Sequence, residues 1–264
     1  MPLRNVIVLA PSGLVLFAKE YGKAAAQPRL LGSLLTAMAE FATQTTAMLP
    51  SYIEMSSMAV TMVRDDVAKV SCALVHDRTD TASFGRLIAE ELLLAFVEEY
   101  SGDGARLESG AQDLKAFRGF ESEIPGVVHR SAGSVLARVS ASRHILHAAL
   151  ISEDANGALH INQSGGAEID QLSLLAASKY LFFATDLVLE YRRDKTRHTA
   201  FDDDGDETRT LLWRVQNCVL MICVIKAGNR ATDAYSYARC GQAKSLIDQI
   251  LKQSIALRRP SAYR

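Results

Sequence analysis

The hydrophobic pattern of the chain is strongest at residues 172–191, LSLLAASKYLFFATDLVLEY. At 100° per residue its large apolar side chains point in every direction, whereas a surface helix carries an apolar stripe on one side only. Lys179 and Asp186 fall inside the stretch and argue against a membrane span, because each charge would be costly at a bilayer centre. The pattern predicts a helix buried on more than one side. The face predicted to meet another helix consists of Tyr180, Phe183 and Leu187.

The first hundred residues predict a sheet with two helices. Short apolar runs flank the turn residues 11–13 and are typical of a hairpin. Pro28 suits the first position of a helix, and a second helix is expected at 81–100. The expected strands are 6–10, 14–18, 52–57, 59–64 and 68–76. This order of elements predicts one antiparallel sheet with helices on its faces.

The helix at 30–49 has a wide apolar arc. One face consists of Leu30, Leu34, Met38, Phe41 and Met48, and beside it lie Leu31, Leu35 and Ala42. Because one sheet covers only part of such an arc, this helix too is expected to be covered twice. The interface residues predicted on it are Leu31, Leu35 and Met38.

Residues 101–126 are rich in Gly, Ser and charge, with only a short helix predicted at 112–120. They mark a boundary that divides the chain into domains 1–120 and 121–264. The second domain is predicted to contain a short helix, a hairpin around the strong turn signal Asn156-Gly157, the helix at 172–191, three strands and a last helix. The bounds expected for these are 131–141, 145–151, 158–163, 197–201, 208–215, 218–225 and 232–257. Thr232 and Asp233 are the expected caps of the last helix. The predicted fold class is α+β, with two tandem antiparallel-sheet domains that carry helices on both faces.

The composition is that of a folded globular protein, with 48% hydrophobic and 22% charged residues among 264. Since 29 Lys and Arg stand against 30 Asp and Glu, there is no electrostatic reason to expect nucleic acid or an anionic membrane. The opening MPLRNVIVLAPSG has too short an apolar run for a signal peptide, which predicts a cytoplasmic chain. None of the cysteines forms a C-x-x-C pair, so buried structural thiols are predicted at Cys72, Cys218, Cys223 and Cys240.

Two turn-like segments resemble ligand-binding loops, but both have a simpler explanation. The acidic turn 202–206 lacks EF-hand spacing, because the first and twelfth positions of such a loop would be Ala200 and Leu211. A phosphate cradle at Gly165 and Gly166 would need a helix N-terminus free of acids, yet residues 168 and 170 are acidic. We therefore expect a solvated turn and a helix start.

Three histidines, His144, His147 and His160, lie close in the predicted hairpin of the second domain. Residues three apart on a strand point to opposite faces, so the first two are poorly placed to share a metal. A nucleophile with a base and an orienting group cannot be assembled from spacing either. No catalytic, cofactor-binding or metal-binding residue is predicted.

The first domain resembles a longin domain. The residues that carry this are VIVLAPSGLVLFAKEY, LLGSLLTAMAEFA, KVSCALVHD and FGRLIAEELLLAFVEEY, within residues 4–120. They are similar to the first longin domain of late-endosomal Rab exchange factors and of the planar polarity effector Fuzzy. The second domain resembles a roadblock, or dynein light chain, domain through HAALISEDANGALHINQSGG, the helix at 172–191 and TLLWRVQNCVLMICVI. A second longin domain remains the alternative.

The resemblance implies domains that are generally not enzymes, that pair edge to edge or helix to helix, and that bind small GTPases or tether trafficking complexes. The expected function is a non-catalytic scaffold or adaptor in a small-GTPase-regulating or vesicle-trafficking complex. Its expected partners are a second copy or other longin and roadblock subunits, and a small GTPase, with peripheral association with endomembranes left open. The rival hypothesis is a small-molecule sensor, which predicts a closed apolar pocket with a few convergent polar groups.

Overall fold

The computed structural model describes residues 3–21, 27–103, 116–153, 159–166, 198–202, 208–216, 219–226 and 229–258. The predicted helix 172–191, the turn 203–207 and Cys218 lie outside these residues. By their internal contacts the residues form two units, Met1–Ser131 with Lys252–Arg264, and Ala132–Leu251. The sequence-based boundary between residues 120 and 121 stays a prediction.

The described part of the first unit contains one antiparallel sheet. Its strands are β1 (Leu3–Leu9), β2 (Val15–Glu20), β3 (Tyr52–Glu54), β4 (Met58–Arg64) and β5 (Ser71–Asp77). They lie in the order β2-β1-β5-β4-β3. Helix α1 (Pro28–Thr46) follows β2, and helix α2 (Ala82–Tyr100) follows β5. The element order predicted from the sequence is confirmed for these residues.

The two helices lie on opposite faces of this sheet. Side chains alternate along a strand, so neighbouring residues serve different faces. Val60 and Val75 belong to the hydrophobic cluster that includes Leu31 and Leu35 of α1. The next residues, Thr61 and His76, meet α2 at Gly85. The prediction of helices on both faces therefore holds in the first unit.

Helix α3 (Phe120–Ser140) departs from the sequence prediction, which placed residues 101–126 in a linker. Phe117 and Phe120 are fully buried in the first unit. The ring of Phe120 stands edge-on to those of Phe17 and Phe96, with centroids 5.4 and 5.2 Å apart. This aromatic packing starts the helix inside the predicted linker, because edge-to-face rings add stability beyond the area they bury.

The second unit repeats the topology of the first sheet. Its strands are β6 (Ile145–Glu153), β7 (Leu159–Gly166), β8 (His198–Asp202), β9 (Thr208–Gln216) and β10 (Val219–Lys226). Their order, β7-β6-β10-β9-β8, matches that of β1 to β5, and every neighbouring pair is antiparallel. The predicted tandem of two α+β domains with antiparallel sheets is confirmed at this level.

Helix α4 (Arg230–Arg258) follows β10 and begins before the predicted start at 232. The Asn229 side chain caps it, accepting hydrogen bonds from the backbone N–H groups of Ala231 and Thr232 at 3.1 and 3.0 Å. Asn229 thus has the role that the sequence assigned to Thr232 and Asp233. The buried side of the helix is the one predicted, with Cys240, Ala243, Ile247, Ile250 and Leu251.

Gly165 and Gly166 belong to strand β7, which was predicted to end at residue 163, and the helix that they were expected to introduce lies outside the described residues. A Cβ atom on Gly165 would lie 2.9 Å from the Cα atom of Ala137 in α3. Gly166 has a φ of 108°, which side chains disfavour. Close packing and backbone conformation therefore explain the pair.

Candidate interaction surface

Helix α1 packs on the sheet through a narrow face. Leu31 is 8% exposed and Leu35 is fully buried, both against strand residues of the first unit. Gly32 lies between them, and a Cβ atom there would be 3.0 Å from Cγ2 of Val15 and 3.1 Å from Cδ2 of Leu9. The missing side chain allows the helix backbone to approach the sheet, which fixes this face as the inner one.

Four large apolar side chains lie on the outer face of α1, and we call them the α1 ridge. They are Leu30, Leu34, Met38 and Phe41, with 65%, 50%, 37% and 70% of their surface exposed. Their spacing of three or four residues aligns them in one stripe. Single exposed leucines are ordinary, whereas a contiguous apolar stripe makes this face a candidate for contact with another molecule.

The surface around the ridge has few charges to desolvate. The only charged residues in α1 are Arg29 and Glu40. The exposed hydroxyls of Thr43, Thr45 and Thr46 donate hydrogen bonds to backbone carbonyls one turn earlier, at 2.8, 2.8 and 2.7 Å. Polar groups that are already hydrogen-bonded cost less to bury, so this face is suited to protein contact.

The structure places the interface residues predicted from the sequence in different environments. Met38 belongs to the exposed ridge and stays an interface prediction. Leu31 and Leu35 pack inside the first unit, so their apolar surface is already used by the sheet. Tyr180, Phe183 and Leu187 lie outside the described residues. Leu30, Leu34 and Phe41 therefore replace Leu31 and Leu35 as the candidate contacts of this helix.

A cleft of about 390 Å³ lies beside another flank of α1, and we call it the α1 cleft. Its helix wall includes Thr36, Ala39, Glu40 and Thr43. Gly13, with a φ of 80°, brings the β1–β2 turn close to Thr36, and Ala10 and Pro11 of this segment also line the cleft. The apolar lining includes Leu9, Ala10, Leu49, Met62 and Val63. Two cations, Arg64 and Lys69, line it from the β4–β5 connection.

A buried polar cluster under α2 was not singled out from the sequence. The side chain of His76 is fully buried, and its Nδ1 atom lies 3.1 Å from the carbonyl oxygen of Asp77. A carbonyl can only accept, so Nδ1 donates this hydrogen bond, and Nε2 lies 2.9 Å from the Thr61 hydroxyl oxygen, within hydrogen-bonding distance. Burial raises the pKa of the neighbouring Asp80, while the nearby His76 lowers it. With its hydrogen bonds made inside the unit, His76 is explained by packing.

The other chemical candidates are dispersed. In the β6–β7 ladder His147 pairs with Gly166 and His160 with Ser152, so these two histidines lie at different levels of the hairpin. Within the described ranges, no three His, Cys, Asp or Glu side chains are grouped to hold a metal ion.

The three described cysteines are buried, as predicted. A hydrogen bond to Cys240 and burial both raise the pKa of Cys223. Among the helices that the structure describes, none combines the length and hydropathy needed to cross a bilayer.

No protein-family model matches the chain, and no curated protein sequence does either. Solved structures that are similar to it include Myxococcus xanthus MglB, at 17% identity and a TM-score of 0.38 over 46% of this chain and 95% of the other. Another is MglB with a tetrameric arrangement, at 12% identity and a TM-score of 0.39 over 48% and 92%. A third is the roadblock/LC7 domain from Streptomyces avermitilis, at 12% identity and a TM-score of 0.34 over 47% and 96%. These likenesses concern the fold over about half of the chain, and the longin resemblance stays a prediction.

Proposed function

We propose that this protein is a non-catalytic adaptor of a small-GTPase-regulating or vesicle-trafficking complex, and that it joins its partner through the α1 ridge. The observation that carries the proposal is the exposed apolar stripe of four side chains on a helix with two charges. The sequence resemblance to longin and roadblock domains supports the class of complex. Peripheral association with endomembranes is part of the same proposal.

The ridge fits an antiparallel helix pair. Leu30 and Phe41 lie at the two ends of the ridge, and Leu34 and Met38 lie between them. In an antiparallel pair of two such helices, each end would bring Leu30 of one against Phe41 of the other.

The size of the ridge predicts its affinity. Complete burial of one Leu or Phe side chain contributes about 1.5–3 kcal/mol, and the exposed fractions of the four residues amount to about two such side chains per helix. Two ridges together contribute roughly 6–12 kcal/mol, which is comparable to an association cost of about 4–15 kcal/mol. We therefore expect a weak, concentration-dependent homodimer and a tighter complex with any subunit that adds further contacts.

Analytical ultracentrifugation of the purified chain tests the homodimer. The variant Phe41→Glu places a charge on the ridge, and Leu94→Glu is the matched control because Leu94 is 62% exposed on α2. We expect the wild type and Leu94→Glu to associate as concentration rises through the micromolar range, and Phe41→Glu to remain monomeric. Equal behaviour of the two variants would contradict a role for the ridge in self-association.

The adaptor role is tested by affinity capture from native cytosol with the same three proteins. The expected result is recovery of longin or roadblock subunits, or of a small GTPase, with wild type and Leu94→Glu but not with Phe41→Glu. Loss of the same proteins with both variants, or recovery of none, would count against the proposal.

A further inference from the structure

The α1 cleft offers a second binding site that association through the ridge does not use. Thr36, Ala39 and Glu40 face the cleft, whereas Leu34 and Phe41 of the ridge lie on another flank of the same helix. A volume of about 390 Å³ falls within the range of roughly 300–1,000 Å³ that is usual for small-molecule sites.

The apolar part of the lining lies on the side of the strands, next to the polar residues Ser51 and Ser71. Leu9 and Ala10 are 3% and 4% exposed, and Met62, which is half-buried, belongs to the same hydrophobic cluster as Leu9. These side chains offer a ligand an apolar surface. The part of a ligand that rests on them is therefore apolar.

Two cations lie at one wall of this apolar surface. Among the contacts of the described residues, Lys69 makes neither a hydrogen bond nor an ion pair. Arg64 has one ion pair, in which its Nε atom is 3.7 Å from Oδ1 of Asp66, too long for a hydrogen bond. The other acid of the turn, Asp65, accepts hydrogen bonds from the backbone N–H groups of residues 67 and 68 at 2.9 and 2.7 Å. Within the described residues, Arg64 and Lys69 thus make no side-chain hydrogen bond to the two acids of this turn.

The backbone of Lys69 does not explain why a lysine occupies this position. Its φ of 56° lies in the left-handed region, where glycine and asparagine are favoured over residues with longer side chains. A lysine here carries strain that a glycine would avoid.

We propose that the α1 cleft binds a small amphipathic monoanion, with its apolar body on Leu9 and Met62 and its acidic group at Arg64 and Lys69. Glu40 lines the helix side of the cleft and would repel a second negative charge. The ligand class is therefore a carboxylate or similar acid with an uncharged far end, such as an acyl or aryl carboxylate. This site does not depend on the adaptor role.

Displacement of the fluorescent probe 8-anilinonaphthalene-1-sulfonate from the full chain tests the proposal, because the probe joins an aromatic body to one anionic group. Decanoate should displace it, whereas decyltrimethylammonium, with the same chain and the opposite charge, should not. Displacement by both to the same extent would overturn the charge selectivity, and no displacement by decanoate would overturn the site.

Variants locate the binding. Lys69→Gln should weaken decanoate binding roughly two- to fivefold, as expected for one partly exposed ion pair, and Arg86→Gln, an exposed cation on α2, should not change it. Glu40→Gln should strengthen binding by a similar factor. Ala39→Trp fills the cleft and should abolish binding, whereas Ala37→Trp, exposed and outside the lining, should not.

Each variant is compared with wild type by circular dichroism so that only folded proteins are interpreted. Probe binding that persists in Ala39→Trp and is lost in Phe41→Glu would assign it to the ridge and overturn the cleft proposal. Different results would contradict the adaptor proposal, namely a wild-type chain that stays monomeric and affinity captures that recover no partner protein.

Discussion

Gly85→Ala is the substitution for which the structure predicts the sharpest effect. Gly85 lies in the first turns of α2, where its missing side chain lets the helix rest on the buried polar pair Thr61 and His76. A Cβ atom would lie 2.5 Å from Nε2 of His76 and closer still to Oγ1 of Thr61. Neither partner has room to move, because His76 is fully buried and Thr61 is 2% exposed.

The expected loss is about 2 kcal/mol. Overpacking a buried site costs about 1–3 kcal/mol, and separating the Thr61 hydroxyl from His76 loses a hydrogen bond worth about 1 kcal/mol. Alanine has the better helix propensity by about 0.5–1 kcal/mol, which offsets part of this. The matched control is Gly241→Ala in α4, where nothing lies within 4 Å of the added Cβ atom. In Gly241→Ala only the better helix propensity of alanine has an effect, so the unfolding free energy should rise by up to about 1 kcal/mol.

Urea unfolding followed by far-UV circular dichroism measures both variants. This readout is chosen because the single tryptophan, Trp213, belongs to the second unit and does not report on the first. With a slope of about 1–3 kcal/mol per molar urea, the midpoint of the first-unit transition should fall by roughly 1 M in Gly85→Ala. A midpoint equal to or above that of wild type would refute the close contact between α2 and the sheet.

Three further effects follow from local contacts. Asn229→Ala removes the cap of α4 and should lower the unfolding free energy by about 1 kcal/mol in urea titrations. Burial, with added effects from Arg258 and Arg130, lowers the pKa of His129, so its contribution to stability is present above pH 6.5 and is lost as pH falls through the folded value. The pH dependence of unfolding between pH 7.5 and 5 should therefore be smaller in His129→Gln. Burial raises the pKa of Cys72 to about 12, so iodoacetamide at pH 8 should modify it only in urea, as checked by peptide mass spectrometry.

Local sequence signals predicted the strands of the first unit well and the start of α3 poorly. The turn at 11–13 and the alternation around it depend on neighbouring residues, so the β1–β2 hairpin was predictable. The burial of Phe117 and Phe120 depends on contact with Phe17 and Phe96, which are distant in sequence. The segment around them was predicted to be a linker because its average composition is rich in Gly, Ser and charge. An average over many residues hides two aromatic side chains, Phe117 and Phe120, that pack in the core.

Gly165 and Gly166 show a second kind of difference. The strand before them was predicted to end at residue 163, and the glycines were expected to introduce the helix at 172–191. In the structure they are the last residues of a strand where Gly165 meets the backbone of Ala137. A glycine that allows close approach and one that allows a turn look identical in a single sequence, since both are recognised only by the absence of a side chain.

The hydrophobic pattern also did not predict which side of α1 faces the sheet. The position of Gly32 explains the observed orientation. Leu31 and Leu35 lie next to the ridge on a helical wheel, so hydrophobicity alone allows either set to face the sheet. Glycine inside a helix costs about 0.5–1 kcal/mol, and Gly32 is compensated only where the backbone must come close to another element. It stands beside Leu31, within reach of the strands, and thereby turns the ridge outward. Gly85 does the same for α2 on the other face of the sheet, where Leu94 alone among the large apolar residues of that helix is more than a third exposed. The difference between one exposed leucine on α2 and four aligned side chains on α1 is the reason we propose α1 as the helix that meets a partner.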